Sequence, residues 1–188
     1  MIVFVIGGSG SGKSAYAEKR LLAMEAEKKH YIATMRVFDD DEEGKKRVEK
    51  HRTMRREKGF LTIEKPIDLG EIALDAGDAW MLECVSNLLA NEMFTEEGIR
   101  DEKETADKIL KDIGSLIEQT ADGVIVSNNI FEDGENYDDA MASYIKALGG
   151  INQALAAMAD EVIEVVVGIP VTLKSQQEES EGGQICEK

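Results

Sequence analysis

Cysteine is nearly missing from this sequence: Cys84 and Cys186 are the only two among 188 residues. One falls in an apolar segment and the other in a polar tail, so a disulfide framework is not expected. Positive charge is scarce too. Lys and Arg number 22 against 38 Asp and Glu, a net charge of −16, which argues against nucleic acid as a partner because a phosphate backbone needs a cationic face. The acidity reads as solubility. Long apolar runs are also missing: none approaches the ~20 residues a membrane helix needs, so no membrane span is expected. The opening Met1-Ile2-Val3-Phe4-Val5-Ile6 lacks a charged leader and runs straight into glycines, which predicts a strand rather than a signal peptide and a cytoplasmic location. Histidine is confined to His30 and His51.

What is present is ordinary for a folded domain: 43% hydrophobic and 32% charged residues in a chain long enough to bury a core. Apolar stretches alternate with helical patterns, the mark of parallel βαβ units. Strands are predicted near Ile2–Ile6, His30–Ala33, Leu61–Glu64, Ala79–Leu82, Gly123–Ser127 and Val162–Val167. Helices are predicted over Lys13–Lys28, Arg100–Gln119 and Asp138–Ala159. In the second, Ala106, Ile109, Leu110, Ile113, Leu116 and Ile117 form one apolar stripe, and Met141, Tyr144, Ile145, Leu148, Ile151, Leu155 and Met158 form another in the third. The expected fold is α/β: a mostly parallel, helix-flanked sheet of the RecA-like P-loop NTPase kind, in one domain over residues 1–174. Between Asp39 and Lys58 only Val48 and Met54 are apolar, so a charged helical arm at about 36–60 is expected to stand off the body. The tail 175–188 is polar and is expected to fray.

Gly7-Gly8-Ser9-Gly10-Ser11-Gly12-Lys13-Ser14 follows an apolar strand at once and opens a helix. That context separates a working phosphate loop from a chance glycine-rich turn. Glycines let successive N–H groups curl inward onto phosphate oxygens, and the helix start adds partial positive charge. Lys13 is placed to reach the β and γ phosphates and Ser14 to ligate Mg²⁺ in a complex with ATP or GTP. Such a site needs an acid at a nearby strand end, and Glu83, closing Ala79-Trp80-Met81-Leu82, is the candidate; its bland alternative is a strand-terminal acid facing solvent.

The loop, together with Tyr31-Ile32-Ala33-Thr34 and a charged segment carrying Arg47 and His51-Arg52, resembles the bifunctional adenosylcobinamide kinase/adenosylcobinamide-phosphate guanylyltransferase family. Thr62-Ile63-Glu64-Lys65-Pro66, Leu82-Glu83-Cys84 with Asn91, Val126-Ser127-Asn128, Gly149 with Asn152-Gln153, and Ala159-Asp160-Glu161-Val162 follow in the same order. The resemblance implies a transferase of cobalamin biosynthesis. It would phosphorylate the aminopropanol hydroxyl of a corrinoid, adenosylcobinamide, and then move GMP from GTP onto that phosphate through a guanylylated histidine. It matches His51 to that nucleophile, Lys13 and Ser14 to the loop pair and Glu83 to the acid, and it implies a homotrimer.

On a helix, Arg47, His51 and Arg55 share one face at i, i+4 and i+8. With Arg52 they would disfavour imidazolium, keep a neutral nucleophilic ring and offset triphosphate charge. The alternative is an inert histidine on a solvated helix, and His30, which precedes a strand with no charged constellation near it, is read as structural. The chain also departs from the family. Gly10 stands where the loop usually carries Arg, and Ile145-Lys146 replace an Arg-Asp pair. The stretch from Asn128 to Asn136 replaces Asn-Glu-Val-Gly-x-Gly-Ile-Val-Pro, with Asn129 at the acid's position. Asp133, Glu135, Asp138 and Asp139 make that stretch acidic, which would repel a phosphorylated acceptor. A plain P-loop small-molecule kinase with another acceptor, and a non-catalytic nucleotide-binding relative, therefore stay open beside the bifunctional transferase.

Overall fold

Strands rich in Val, Ile and Leu, separated by helices with an apolar stripe, can bury both faces of a sheet only between two helical layers. The structure, a computed structural model that describes residues 1–36, 53, 55–130 and 137–175, takes that solution. Its strands are β1 (Ile2–Gly7), β2 (Lys29–Ala33), β3 (Leu61–Glu64), β4 (Ala79–Glu83), β5 (Phe94–Thr95), β6 (Gly98–Ile99), β7 (Asp122–Asn128), β8 (Glu161–Val166) and β9 (Ile169–Lys174). The helices are α1 (Lys13–Ala23), α2 (Val85–Met93), α3 (Glu102–Gln119) and α4 (Asp139–Met158). Seven strands form one sheet in the order β3-β2-β4-β7-β1-β8-β9, while β5 and β6 make a small separate ribbon. Every pairing in the large sheet is parallel except that of β9 with β8. This is the helix-flanked, mostly parallel sheet expected of a RecA-like P-loop NTPase.

Period-two alternation sorts the strand residues between the layers. Val3, Val5, Met81, Val124 and Val126 pack with Ala17 and Leu21 of α1. Ile2, Phe4, Trp80, Leu82 and Ile125 pack with Leu88 and Leu89 of α2, Ile109 and Ile113 of α3, and Leu148 and Ile151 of α4. With both faces covered, the carboxyl ends of the parallel strands form one open rim.

The elements differ from expectation at several ends. Helix α1 stops at Ala23 rather than Lys28, because Met24 turns extended and the Glu27 amide bonds the Gly77 carbonyl at 2.9 Å to feed β2. Asp101 caps α3, accepting from the Lys103 and Glu104 amides, and Asp138 caps α4 by accepting from the Met141 amide at 2.8 Å. Asp138 is thus engaged in a helix start as well as adding charge. Strand β8 ends at Val166, and Val167 belongs to the turn into β9. Helix α2 and strands β5, β6 and β9 were not expected. Most of the charged arm, with Val48 and Met54, lies outside the described residues, as does the tail past Ser175. Of the arm's described residues, Arg36, Thr53 and Arg56 to Gly59 are exposed, while Arg55 and Phe60 are buried, the Phe60 ring 6.0 Å from that of Tyr31.

Candidate active site

Strand β1 delivers the chain to Gly7 at the rim, and α1 begins at Lys13. Between them Gly10 and Gly12 adopt φ of 70° and 90°, a left-handed backbone that only glycine takes at little cost. The Ser11 amide closes a turn on the Gly8 carbonyl at 3.2 Å. Neighbouring strands strap the loop from both sides: the Asn129 amide, just past β7, bonds the Gly7 carbonyl at 3.1 Å, and the Gly168 amide, between β8 and β9, bonds the Ser11 carbonyl at 2.8 Å. Buried Lys13 folds back so that Nζ donates to the Gly8 carbonyl at 3.1 Å. A lysine held on its own loop is a mobile cation that phosphate oxygens can draw away.

Glu83 ends β4, separated from the loop strand β1 by β7 alone. The Ser14 hydroxyl donates to its Oε1 at 2.7 Å, while its Oε2 is buried without a hydrogen-bond partner among the described residues. Burial pushes the Glu83 carboxyl above its ordinary range, and the Ser14 hydrogen bond and the Lys13 charge pull it back. A shut-in carboxylate oxygen beside a serine hydroxyl is a donor set that suits Mg²⁺, a hard cation that favours oxygen. No group of three or more His, Cys, Asp or Glu gathers among the described residues. Ser11 Oγ, within the loop itself, is another buried oxygen without a hydrogen-bond partner among the described residues.

Around the acid lies a scaffold that sequence reasoning did not assign. The Thr34 amide bonds the Glu83 carbonyl at 2.9 Å, Thr34 Oγ1 accepts from the Cys84 amide at 2.8 Å, and Asn91 Nδ2 donates to the Thr34 carbonyl at 2.7 Å. The only sequence signal was the presence of Thr34 and Asn91 in the family pattern. At the end of β7, Asn128 Nδ2 donates to Ser86 Oγ at 2.6 Å and Tyr144 donates to the Ser86 carbonyl at 3.0 Å.

The structure therefore brings Gly7 through Ser14 and Glu83 together. His51, Arg47 and Arg52 lie outside the described residues, as do 131–136 of the altered loop. Arg55 is described but does not sit on a solvated face: its guanidinium stacks 4.5 Å from the centre of the Tyr31 ring, and its charge is among those favouring ionised Glu83. His30 does have a charged neighbour, contrary to expectation. Its Nε2 lies 2.7 Å from Asp78 Oδ2, at the strand ends opposite the rim. Sequence could not show that pairing because it is made across strands.

A phosphate loop strapped into a parallel sheet, with its serine paired to a strand-end acid, defines a P-loop nucleotide-binding protein. The chain belongs to the cobinamide kinase/cobinamide phosphate guanyltransferase family, whose model matches residues 3–173. Among curated proteins it is similar to the bifunctional adenosylcobalamin biosynthesis proteins CobU of Escherichia coli (strain K12) and of Salmonella typhimurium (strain LT2). Each is 33% identical over 187 residues, covering 93% of this chain and 100% of the relative. The protein of the same description, CobP, from Pseudomonas aeruginosa is 29% identical over 175 residues, covering 92% and 96%.

Proposed function

We propose that this chain phosphorylates the hydroxyl of a cobinamide-type acceptor from a nucleoside triphosphate, and then transfers GMP from GTP to the new phosphate through His51. The observation that carries the reading is the 2.7 Å Ser14–Glu83 pair with its open Oε2, next to a formed phosphate loop. Membership of the family supplies the acceptor class. The reaction is assigned to the cytoplasm, where nucleoside triphosphates are made; among the described residues no helix is long and apolar enough to cross a membrane.

In phosphoryl transfer the residues 7–14 hold the triphosphate, their amides and the start of α1 offering donors to its oxygens. Lys13 leaves the Gly8 carbonyl for the β and γ phosphates. Ser14 and Glu83 would hold Mg²⁺, which when bound neutralises charge on those phosphates. Thr34 and Asn91 fix the turn that carries Glu83. In guanylyl transfer a neutral ring nitrogen of His51 attacks the α-phosphorus of GTP; a P–N bond forms as the bond to pyrophosphate breaks. An oxygen of the acceptor phosphate then attacks the same phosphorus, and the histidine leaves. Arg47 and Arg52, flanking it in sequence, disfavour imidazolium and keep that nitrogen available. Arg55, stacked on Tyr31, favours ionised Glu83 instead.

GTP radiolabelled at the α-phosphorus tests this directly. The parent protein is expected to take an acid-labile, alkali-stable label and to pass it to cobinamide phosphate. His51→Ala should take none while keeping acceptor phosphorylation. A parent that phosphorylates an acceptor yet never takes label would leave the kinase reading alone, with the altered Asn129–Asn136 stretch as the feature that accompanies the loss.

A further inference from the structure

Strand β7 runs between the two halves of the site, with β1 on one side and β4 on the other. Its last residue, Asn128, is level with Gly7 in the parallel register, and Val126, two residues earlier, is level with Glu83. Side chains alternate between faces along a strand, and Val124 and Val126 pack in the layer of Ala17 and Leu21 of α1. Asn128 has their parity and so stands on the α1 face, between the strand that feeds the phosphate loop and the strand that ends in the acid. Met81, packed in the same layer, gives Glu83 that face too.

Asn128 is held firmly, yet only half of its amide is engaged. Fully buried Ser127 donates through Oγ to Asn152 Oδ1 at 2.7 Å, and Asn152 Nδ2 donates to the Asn128 carbonyl at 3.4 Å. The side chain makes one bond, from Nδ2 to buried Ser86 Oγ at 2.6 Å. That hydroxyl lies 3.0 Å from Sγ of Cys84, the residue after Glu83. A carboxamide carries two N–H donors and two acceptor lone pairs. Asn91, which ties segments together, uses both hydrogens, on the Thr34 and Pro66 carbonyls. Asn128 uses one, and its second N–H has no acceptor among the described residues. We infer that Asn128 is a catalytic residue of phosphoryl transfer, its second Nδ2 hydrogen donating to an oxygen of the nucleotide's terminal phosphate; this rests on the kinase reading above. Lys13 brings charge on a long flexible stem, whereas an amide clamped by Ser86 brings direction without charge. As the acceptor oxygen bonds the terminal phosphorus, the bond to the bridging oxygen breaks. The electron pair leaves with the diphosphate, and the acceptor's proton passes to water. The amide holds one phosphoryl oxygen through that exchange and keeps the phosphorus in line between the two oxygens.

Binding of GDP and of a GTP analogue with an imido β–γ bridge, each with Mg²⁺, tests the contact in the full chain. Asn128→Asp keeps the shape, and the Ser86 hydroxyl can turn to donate to it, but it sets a negative charge against the terminal phosphate. It should weaken the analogue about 10- to 100-fold and GDP by less than about threefold. Asn128→Ala should lower kcat for acceptor phosphorylation about tenfold or more, with KM for the acceptor within about twofold of the parent. Equal losses of analogue and GDP in Asn128→Asp would overturn the inference, because the residue would then only support the strand ends. Unchanged affinity for both would overturn it too. If Asn128→Ala fails to fold, the isosteric Asp variant decides. A parent that binds both nucleotides but phosphorylates no cobinamide-type acceptor would remove the acceptor reading alone, and the binding contrast would still decide whether Asn128 meets the terminal phosphate. A parent that binds neither nucleotide would remove the phosphate-loop reading, and this inference with it.

Discussion

Helix α2 has a shut-in carboxylate near each end, and the two are handled in opposite ways. Glu92, only 2% exposed, receives the Asp68 amide at 2.8 Å and Lys108 Nζ at 2.5 Å on Oε1, and lies 3.5 Å from Arg100 through Oε2. Glu83, just ahead of the helix, has Ser14 on Oε1 and nothing on Oε2 among the described residues. Both acids are removed from water, so burial alone does not distinguish structure from chemistry. What distinguishes them is the lone pair left over. A buried acid with every oxygen engaged clamps segments together, and one with an oxygen to spare waits for a cation.

Three experiments break or sharpen that contrast. Glu83→Gln should lower Mg²⁺-dependent turnover by about 100-fold or more, since the amide keeps the shape but loses the charge that holds the metal. Its denaturation midpoint should stay level or rise, and a drop in stability with turnover intact would make Glu83 a second clamp. Glu92→Gln should do the reverse. It is expected to cost about 2 kcal/mol in urea unfolding, below the ~3–5 kcal/mol of a fully buried pair because Lys108 and Arg100 both reach water. Turnover measured well below the new melting temperature should be unchanged. The smallest effect is on pH dependence. The Lys108 hydrogen bond holds Asp68 below its ordinary value, so this pairing contributes stability at neutral pH that is lost as pH falls through the lowered folded value. Burial raises Glu83, so as pH falls the folded state takes up that proton before the unfolded chain does and is stabilised relative to it. Removing Glu83 should therefore steepen the loss of stability with acid, and removing Asp68 should flatten it. Thermal melts of Glu83→Gln and Asp68→Asn from about pH 7 to about pH 2.5 would show these opposite slopes, the Glu83 effect in the upper part of the range and the Asp68 effect below about pH 4, and parallel slopes would contradict the contrast.

The two acids also mark how far sequence could be read. Glu83 was legible because it ends a run of apolar strand residues downstream of a phosphate loop, and parallel topology carries both to one rim. Six strands and the two long striped helices were legible for similar reasons: their period was long enough to count. Helix α2 was not, because it is short and its apolar face is interrupted by buried Ser86 and Glu92 and half-buried Asn91, polar groups whose partners come from elsewhere. Glu92 could not be found at all, since Asp68, Arg100 and Lys108 reach it from three separate segments. Strand β9 was hidden by exposure. Its Ile169, Val171 and Leu173 do alternate with Pro170, Thr172 and Lys174, but that apolar face stays exposed, and Pro170 suits only an edge. The scaffold of Thr34 and Asn91 rests largely on backbone atoms, which no side-chain pattern announces.

The two straps on the phosphate loop are made by main-chain amides, from Asn129 on one flank and Gly168 on the other. An amide is the same donor whatever residue carries it, proline aside. Position 129 can therefore exchange an acid for asparagine, and the stretch beyond it can drift, without slackening the loop that grips the nucleotide. Anchorage written in the peptide backbone insulates the two halves of the site from each other: the nucleotide grip is inherited intact while the neighbouring side chains are free to be rewritten for another guest.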